Sequence, residues 1–299
     1  MQDDIRISRF LAVSGIREAS TQETMSFLEV RRQAHRIETL YTDSGLILSP
    51  NCSLAILLAK AKALADREEA GKANESTMND VFFAIHVERI ADSVLRLSDV
   101  PDRRKYLTPL MSGEMDFFVR RTSHAKNIFW EIELFNTLLK LWPSTALADP
   151  PDITLELHGA RLGISCKKIY SEKNVEKVLS NAVMQVTKGF DAGIVALNID
   201  DLTPADSVVK VRSSAELTRF LANKTDEFIR RHQRCFRKYL STGRLVSALV
   251  TLNVTADILD GNPRFISARE MTFWTIPLSD TNKMAIIEKF RGLVIGADV

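Results

Sequence analysis

The spacing of apolar residues divides the chain into a helical first part and a second part in which helices alternate with strands. Apolar residues recur three and four positions apart through Met25 to Leu40, Leu54 to Ala65, Val81 to Leu97 and Tyr106 to Met111, which predicts a run of helices up to about Arg120. Turn and capping chemistry separates them at Thr42 to Gly45, Ser49 to Asn51, Gly71 to Ser76 and Ser98 to Pro101. A long helix is predicted over Asn127 to Leu141. After Pro150-Pro151 the period changes to two: Ile153, Leu155 and Leu157, then Leu162, Ile164 and Cys166, alternate with other residues on either side of a loop from His158 to Arg161, the pattern of a hairpin. There follow a helix from Val175 to Lys188 closed at Gly189, a buried strand from Gly193 to Ile199, and a helix from Ala215 to Leu240. A strand near Leu245 to Ala256, a turn at Asp260 to Pro263, a strand from Arg264 to Ile276 and a helix opened by Asp280 end the chain. The expected fold class is α/β (α+β), with a helical N-terminal region over residues 1–120 and a mixed-sheet domain with flanking helices over residues 121–299.

The hairpin sorts its residues onto two faces. Closure through His158 to Arg161 pairs Leu157 with Leu162, Leu155 with Ile164 and Ile153 with Cys166 on an apolar face. The other face then pairs Asp152 with Lys167, Thr154 with Ser165 and Glu156 with Gly163. An acid beside a lysine on a strand surface can be an ordinary cross-strand ion pair worth a fraction of a kcal/mol. The preceding helix gives a reason to look further. At about 100° per residue, Ile128, Trp130, Ile132, Leu134, Phe135, Leu138, Leu139 and Leu141 form one broad arc with Glu131 near its middle, while Glu133 points outward with Asn136 and Lys140. A carboxylate within an apolar arc requires a cation, a metal or a hydrogen-bonding site, a structural ion pair among them. Asp152 and Lys167 stand on the next element, where they can converge with Glu131.

Composition narrows the remaining choices. With 45% hydrophobic residues in 299, the chain can build a substantial core, and a formal net charge of +2 carries no global signature for nucleic acid or membrane. Any such signal has to be local. One is present in the last long helix, where Arg230, Arg231, Arg234, Arg237 and Lys238 fall within roughly 120° opposite an apolar side, and Arg244 extends the run. This stripe can neutralise backbone phosphates, or it can be a solvated basic face paired with acids elsewhere. Cys52, Cys166 and Cys235 fit neither a disulfide framework nor a CxxC metal site, so a reducing cytoplasm is expected. The acidic start of the chain and the absence of an apolar run of roughly 18 residues exclude a secretory signal and a membrane span from the expectation. The chain carries no GxxxxGK[ST] and no GxSxG, and its histidines lack zinc-ligand spacing.

Glu131 on a first helix, Pro151-Asp152 at the start of a strand, Ser165-Cys166-Lys167 on the next strand and Gln185 on a second helix together resemble the PD-(D/E)xK, or restriction-endonuclease-like, nuclease superfamily. The resemblance covers about a quarter of the chain and implies a mixed-sheet nuclease core. It implies that Asp152 and Glu131 are metal ligands for Mg²⁺ or Mn²⁺, Lys167 the catalytic lysine and Gln185 a supporting polar group. Ser165 stands where the family carries a glutamate. The implied activity is metal-dependent hydrolysis of nucleic acid, DNA above RNA, in a setting such as restriction or antiphage defence, with the helical region available to a protein partner. The alternative is a catalytically degenerate nuclease fold that serves as a nucleic-acid-binding or assembly module.

Overall fold

The computed structural model describes residues 6–14, 26–72, 75–157, 159–204 and 208–296, with the backbone alone for 6–14 and 291–296. His158 of the hairpin loop lies outside the described residues. Four helices, α1 (Phe27–Asp43), α2 (Ser53–Glu69), α3 (Met78–Val94) and α4 (Arg104–Leu110), occupy the first part. Each of the three long ones starts where a side chain takes over an unpaired amide: Ser26 accepts from Leu28, Cys52 from Ala55, and Thr77 forms a reciprocal capping box with Asp80. Their apolar faces meet in one core with Ala125, Phe129 and Ile132 of the next helix, α5 (His124–Leu141). α5 is therefore shared. Trp130, Leu134, Phe135 and Leu138, on its opposite side, pack on the sheet.

The sheet is mixed. Its strands are β1 (Arg6–Ser14), β2 (Ala146–Leu147), β3 (Ile153–Leu157), β4 (Ala160–Lys168), β5 (Ala192–Asn198), β6 (Val208–Val211), β7 (Ser247–Ile258) and β8 (Phe265–Thr275). They lie in the order β1-β8-β7-β5-β4-β3-β2, with β6 pairing the far end of β7. β4, β5 and β7 run parallel and the outer pairs antiparallel. The two parallel crossovers pass through α6 (Val175–Val186) and α7 (Ser214–Leu240) and step across the sheet in the same direction. Right-handed crossovers then place both helices on one face, and their apolar residues share one core with that side of β5 and β7. α5 and α8 (Thr281–Gly296) cover the other face, where Trp142 stacks on Phe290 with centroids 4.6 Å apart. β5 is buried along its whole length because it is covered on both faces, which is why it reads as a continuous apolar run.

The fold class expected from the sequence is the one observed, and most of its elements fall within a few residues of their predicted bounds. Three differences have physical causes. β1 lies in a stretch read as helical; its partner is β8, more than 250 residues away, so nothing local marks it as a strand. The hairpin closes two residues tighter than expected, pairing Ile153 with Ile164, Leu155 with Leu162 and Leu157 with Ala160. A shift of two preserves the faces, since side chains alternate with period two, and Gly159 at φ +80° permits the short connection.

The third difference is a correction. Glu133 does not point to solvent; it is 3% exposed, and Asn136 beside it is also buried. Arg89 of α3 grips the Glu133 carboxylate through Nε at 2.5 Å and Nη2 at 2.9 Å, and Arg269 of β8 pairs with it from the other side. Burial works against the charge, but Arg269 and Arg89 hold this carboxyl below its ordinary value. α5 has no solvent side at Glu133 because helices cover one flank and the sheet the other. Glu133→Gln takes a carboxylate from two buried guanidiniums, leaving Arg89 with Asp200 and Arg269 with the neutral Asn253 Oδ1. The expected cost is about 3 kcal/mol in urea unfolding; a loss under about 1 kcal/mol would show that the network is solvated rather than buried.

Candidate active site

The polar side of the hairpin gathers its chemistry at Asp152, one residue before the first rung of β3. The register that pairs Ile153 with Ile164 brings Asp152 level with Ser165, so three consecutive β4 residues reach one carboxylate oxygen. Asp152 Oδ2 accepts from the Cys166 backbone N–H at 2.5 Å, the Lys167 ammonium at 3.1 Å and the Ser165 hydroxyl at 3.2 Å. Ser165 Oγ also lies 2.5 Å from Gln185 Oε1 near the end of α6, and its single proton serves one acceptor at a time. Gly163, two residues earlier on the same side of β4, leaves room for Phe190: a Cβ there would meet Phe190 Cγ at 2.9 Å.

Glu131 approaches from α5. It is half-buried and makes no hydrogen bond or ion pair among the described residues. Burial, and then the neighbouring Asp152 charge, push its carboxyl up to about 8, while Lys167 pulls the other way. Near neutrality the group is mostly protonated, which is how two adjacent carboxylates with one lysine between them relieve their repulsion. Asp152 Oδ1 likewise has no hydrogen-bond partner among the described residues. Two carboxylates thus keep oxygens available. No group of three or more His, Cys, Asp or Glu side chains assembles for a metal among the described residues. Mg²⁺ is commonly held by one or two carboxylates with water completing its shell, so these two are the groups that could hold it.

Of the sequence candidates, Asp152, Lys167, Ser165 and Gln185 are in hydrogen-bonded contact and Glu131 is coupled to them by charge. Glu156 stays exposed opposite Arg161 and does not join them. Cys166 faces the apolar core beneath α5, where burial raises its thiol well above the ordinary value. One neighbour escaped the sequence reading. Lys168 is buried against Asp201 at 2.7 Å and Asn198 Oδ1 at 2.6 Å. Its only sequence signal is adjacency to Lys167, because its partners lie beyond the next strand.

The basic stripe on α7 is partly neutralised. Arg231 forms a fork with Glu172, 2.9 and 2.7 Å, and Lys238 lies 3.8 Å from Glu176 at the start of α6. Arg230, Arg234 and Arg244 are exposed, and Arg237 is half-buried. Glu176 is nine residues from Gln185, about 14 Å of helix rise, so the stripe and the Asp152 cluster occupy different ends of α6.

Comparison with known proteins returns no match: no family model, no curated protein and no solved structure is similar enough to this chain to assign it.

Glu131 yields a pH test. A carboxyl with a raised folded-state value favours folding below its unfolded pKa, and that contribution is lost as pH rises through about 8. Glu131→Gln removes the term. Relative to wild type, the variant is expected to gain on the order of 2 kcal/mol between pH 5 and 9 in chemical denaturation. Parallel pH profiles would show that Glu131 is not held protonated.

Proposed function

We propose that this chain is a metal-dependent phosphodiester hydrolase acting on nucleic acid, DNA above RNA, built on a restriction-endonuclease-like core. The observation that carries this reading is the pairing of Asp152 with Lys167 beside Glu131, a second carboxyl with no hydrogen-bond partner among the described residues. Asp152 Oδ1 and the Glu131 carboxylate would hold Mg²⁺ or Mn²⁺, which supplies Lewis acidity at the phosphate and lowers the pKa of water. The chain's own groups do the rest. Asp152, fixed by the Cys166 amide, orients Lys167, whose side chain remains 23% exposed and can face a phosphate oxygen. Ser165 gives its one proton either to Asp152 or to Gln185, which ties α6 to the cluster. The exposed Arg230, Arg234 and Arg244 then engage backbone phosphates away from the reacting group.

A second reading is favoured by Ser165, which supplies a neutral hydroxyl where a third carboxylate would strengthen metal binding. In that case the fold acts as a nucleic-acid-binding or assembly module. Ile47 at 91% and Ile56 at 55% exposure on the helical region suit a protein partner, and restriction or antiphage defence is the setting proposed for either reading.

The readings part on turnover. The enzyme should cleave duplex DNA with Mg²⁺ or Mn²⁺ and lose at least about 100-fold in rate in both Asp152→Ala and Lys167→Ala, with DNA binding retained. No cleavage by the wild-type chain with either metal would leave the binding module. Charge reversal at Arg230, Arg234 and Arg244 should weaken DNA binding and flatten the log K against log salt slope by about 0.9 for each phosphate that is no longer neutralised. An unchanged slope removes α7 from the interface.

A further inference from the structure

Where α3 meets the ends of β7 and β8, the fold gathers more positive than negative charge, most of it buried. Arg89, Arg120, Lys126, Lys168 and Arg269 gather around three carboxylates, Glu133, Asp200 and Asp201, an excess of two. Among the nearby acids, Glu114 is paired with Arg121 and cancels with it, and Asp116 accepts the Phe118 amide at 2.8 Å. Lys126 is 1% exposed, donates to the Val119 carbonyl, and has no carboxylate within 4 Å among the described residues. The excess also depresses His86, which burial, together with Arg89, Arg120 and Lys126, lowers to about 3. Burying unmatched cations is costly unless a counter-charge joins them.

A cavity of about 30 Å³ opens in this cluster, walled by Arg89, Arg120, Thr203, Asn253 and Thr255 with His86 at one side. That is two to three times the room one water needs, so it admits a small oxyanion or a terminal phosphoryl but not a base or a sugar. Two guanidinium donors beside it are unused among the described residues. Arg120 Nε is buried without a partner, and Arg89 binds its acids through Nε and Nη2 only, leaving Nη1 without a hydrogen bond among the described residues. The one acid in the wall, Asp200, has both oxygens occupied, by Asn253 N–H at 2.7 Å and Arg89 at 3.3 Å among others.

We propose that this cavity is a binding site for one phosphate-class oxyanion, held between the Arg89 and Arg120 guanidiniums with the Thr255 hydroxyl as a further donor. Arginine forks match tetrahedral oxyanions geometrically, and a dianion would balance the excess charge. The site is separate from the Asp152 cluster and does not depend on its being catalytic. Free phosphate and the terminal phosphoryl of a nucleic-acid end share this chemistry.

The test uses the full chain and inorganic phosphate, with chloride at matched ionic strength as the control, read by thermal unfolding and calorimetric titration. Phosphate is expected to raise the melting temperature above the chloride control and to bind saturably near one per chain. Arg120→Gln should weaken binding at least tenfold. Thr255→Val, which removes a donor and no charge, should weaken it several-fold and keeps the test valid where the arginine variant fails to fold. Equal shifts with phosphate and chloride, or wild-type binding in Thr255→Val together with any folded Arg120→Gln, overturn the proposal. A 5′-phosphorylated oligonucleotide that displaces phosphate when its 5′-hydroxyl twin does not assigns the site to a nucleic-acid end. Displacement by neither assigns it to the free anion. Displacement by both means that the phosphate was reporting binding along α7, and the proposal fails.

Discussion

Glu133, two residues beyond Glu131 on α5, is held between Arg89 of α3 and Arg269 of β8, and the relation of the helical layer to the sheet depends on that interaction. One buried carboxylate joins three elements that are distant in sequence. Arg269 continues to Asn253 Oδ1 at 2.6 Å, Asn253 to Asp200, and Lys168 to Asp201 at 2.7 Å, so the network runs from α3 through α5 and β8 to the end of β5. Buried charges of this kind contribute little net stability over apolar packing, but each becomes expensive once its partner is removed. Their effect is to fix one arrangement. With Glu133 clamped, rotation of α5 about its axis is prevented, and Glu131 is directed to the sheet edge that carries Asp152 and Lys167.

The polar cluster at Asp152 is supported from the opposite side. β4 delivers the Ser165 hydroxyl, the Cys166 amide and the Lys167 ammonium to one oxygen, and a continuous apolar face of β3 and β4 against α5 holds the strands in that register. Asp152 is 8% exposed with Oδ1 unclaimed, and Glu131 has no donor of its own, so the cluster has unspent acceptor capacity, whereas both oxygens of Glu133 and of Asp200 are occupied. Asp200 and Glu133 are held charged by surrounding cations, whereas burial and Asp152 drive Glu131 toward neutrality.

Much of this was legible in the sequence, for reasons that differ by residue. The alternation around Ile153 and Leu162 specified which side chains share a face, and that parity survives a register shift of two, so Asp152, Ser165 and Lys167 could be grouped from the pattern alone. The apolar arc of α5 singled out Glu131. The same wheel misplaced Glu133, because a helix covered on two flanks has no polar side to which an acid can be assigned, and both its partners are encoded far away. β1 and the counter-charges on the α7 stripe were invisible for the same reason: pairing to β8, Glu172 and Glu176 is long-range information. Local periodicity reports faces. It does not report which distant charge will meet them.

If the chain is the proposed hydrolase, Glu131 and Asp152 share one divalent cation. Titration of the chain with Mn²⁺, followed by the loss of the free-ion electron paramagnetic resonance signal, tests it directly. One saturable site per chain is expected near neutral pH, abolished by Asp152→Asn and weakened at least tenfold by Glu131→Gln, since each variant removes a carboxyl that the cation can hold as its anion. Binding that is absent in the wild-type chain, or that persists unchanged in both variants, would contradict it.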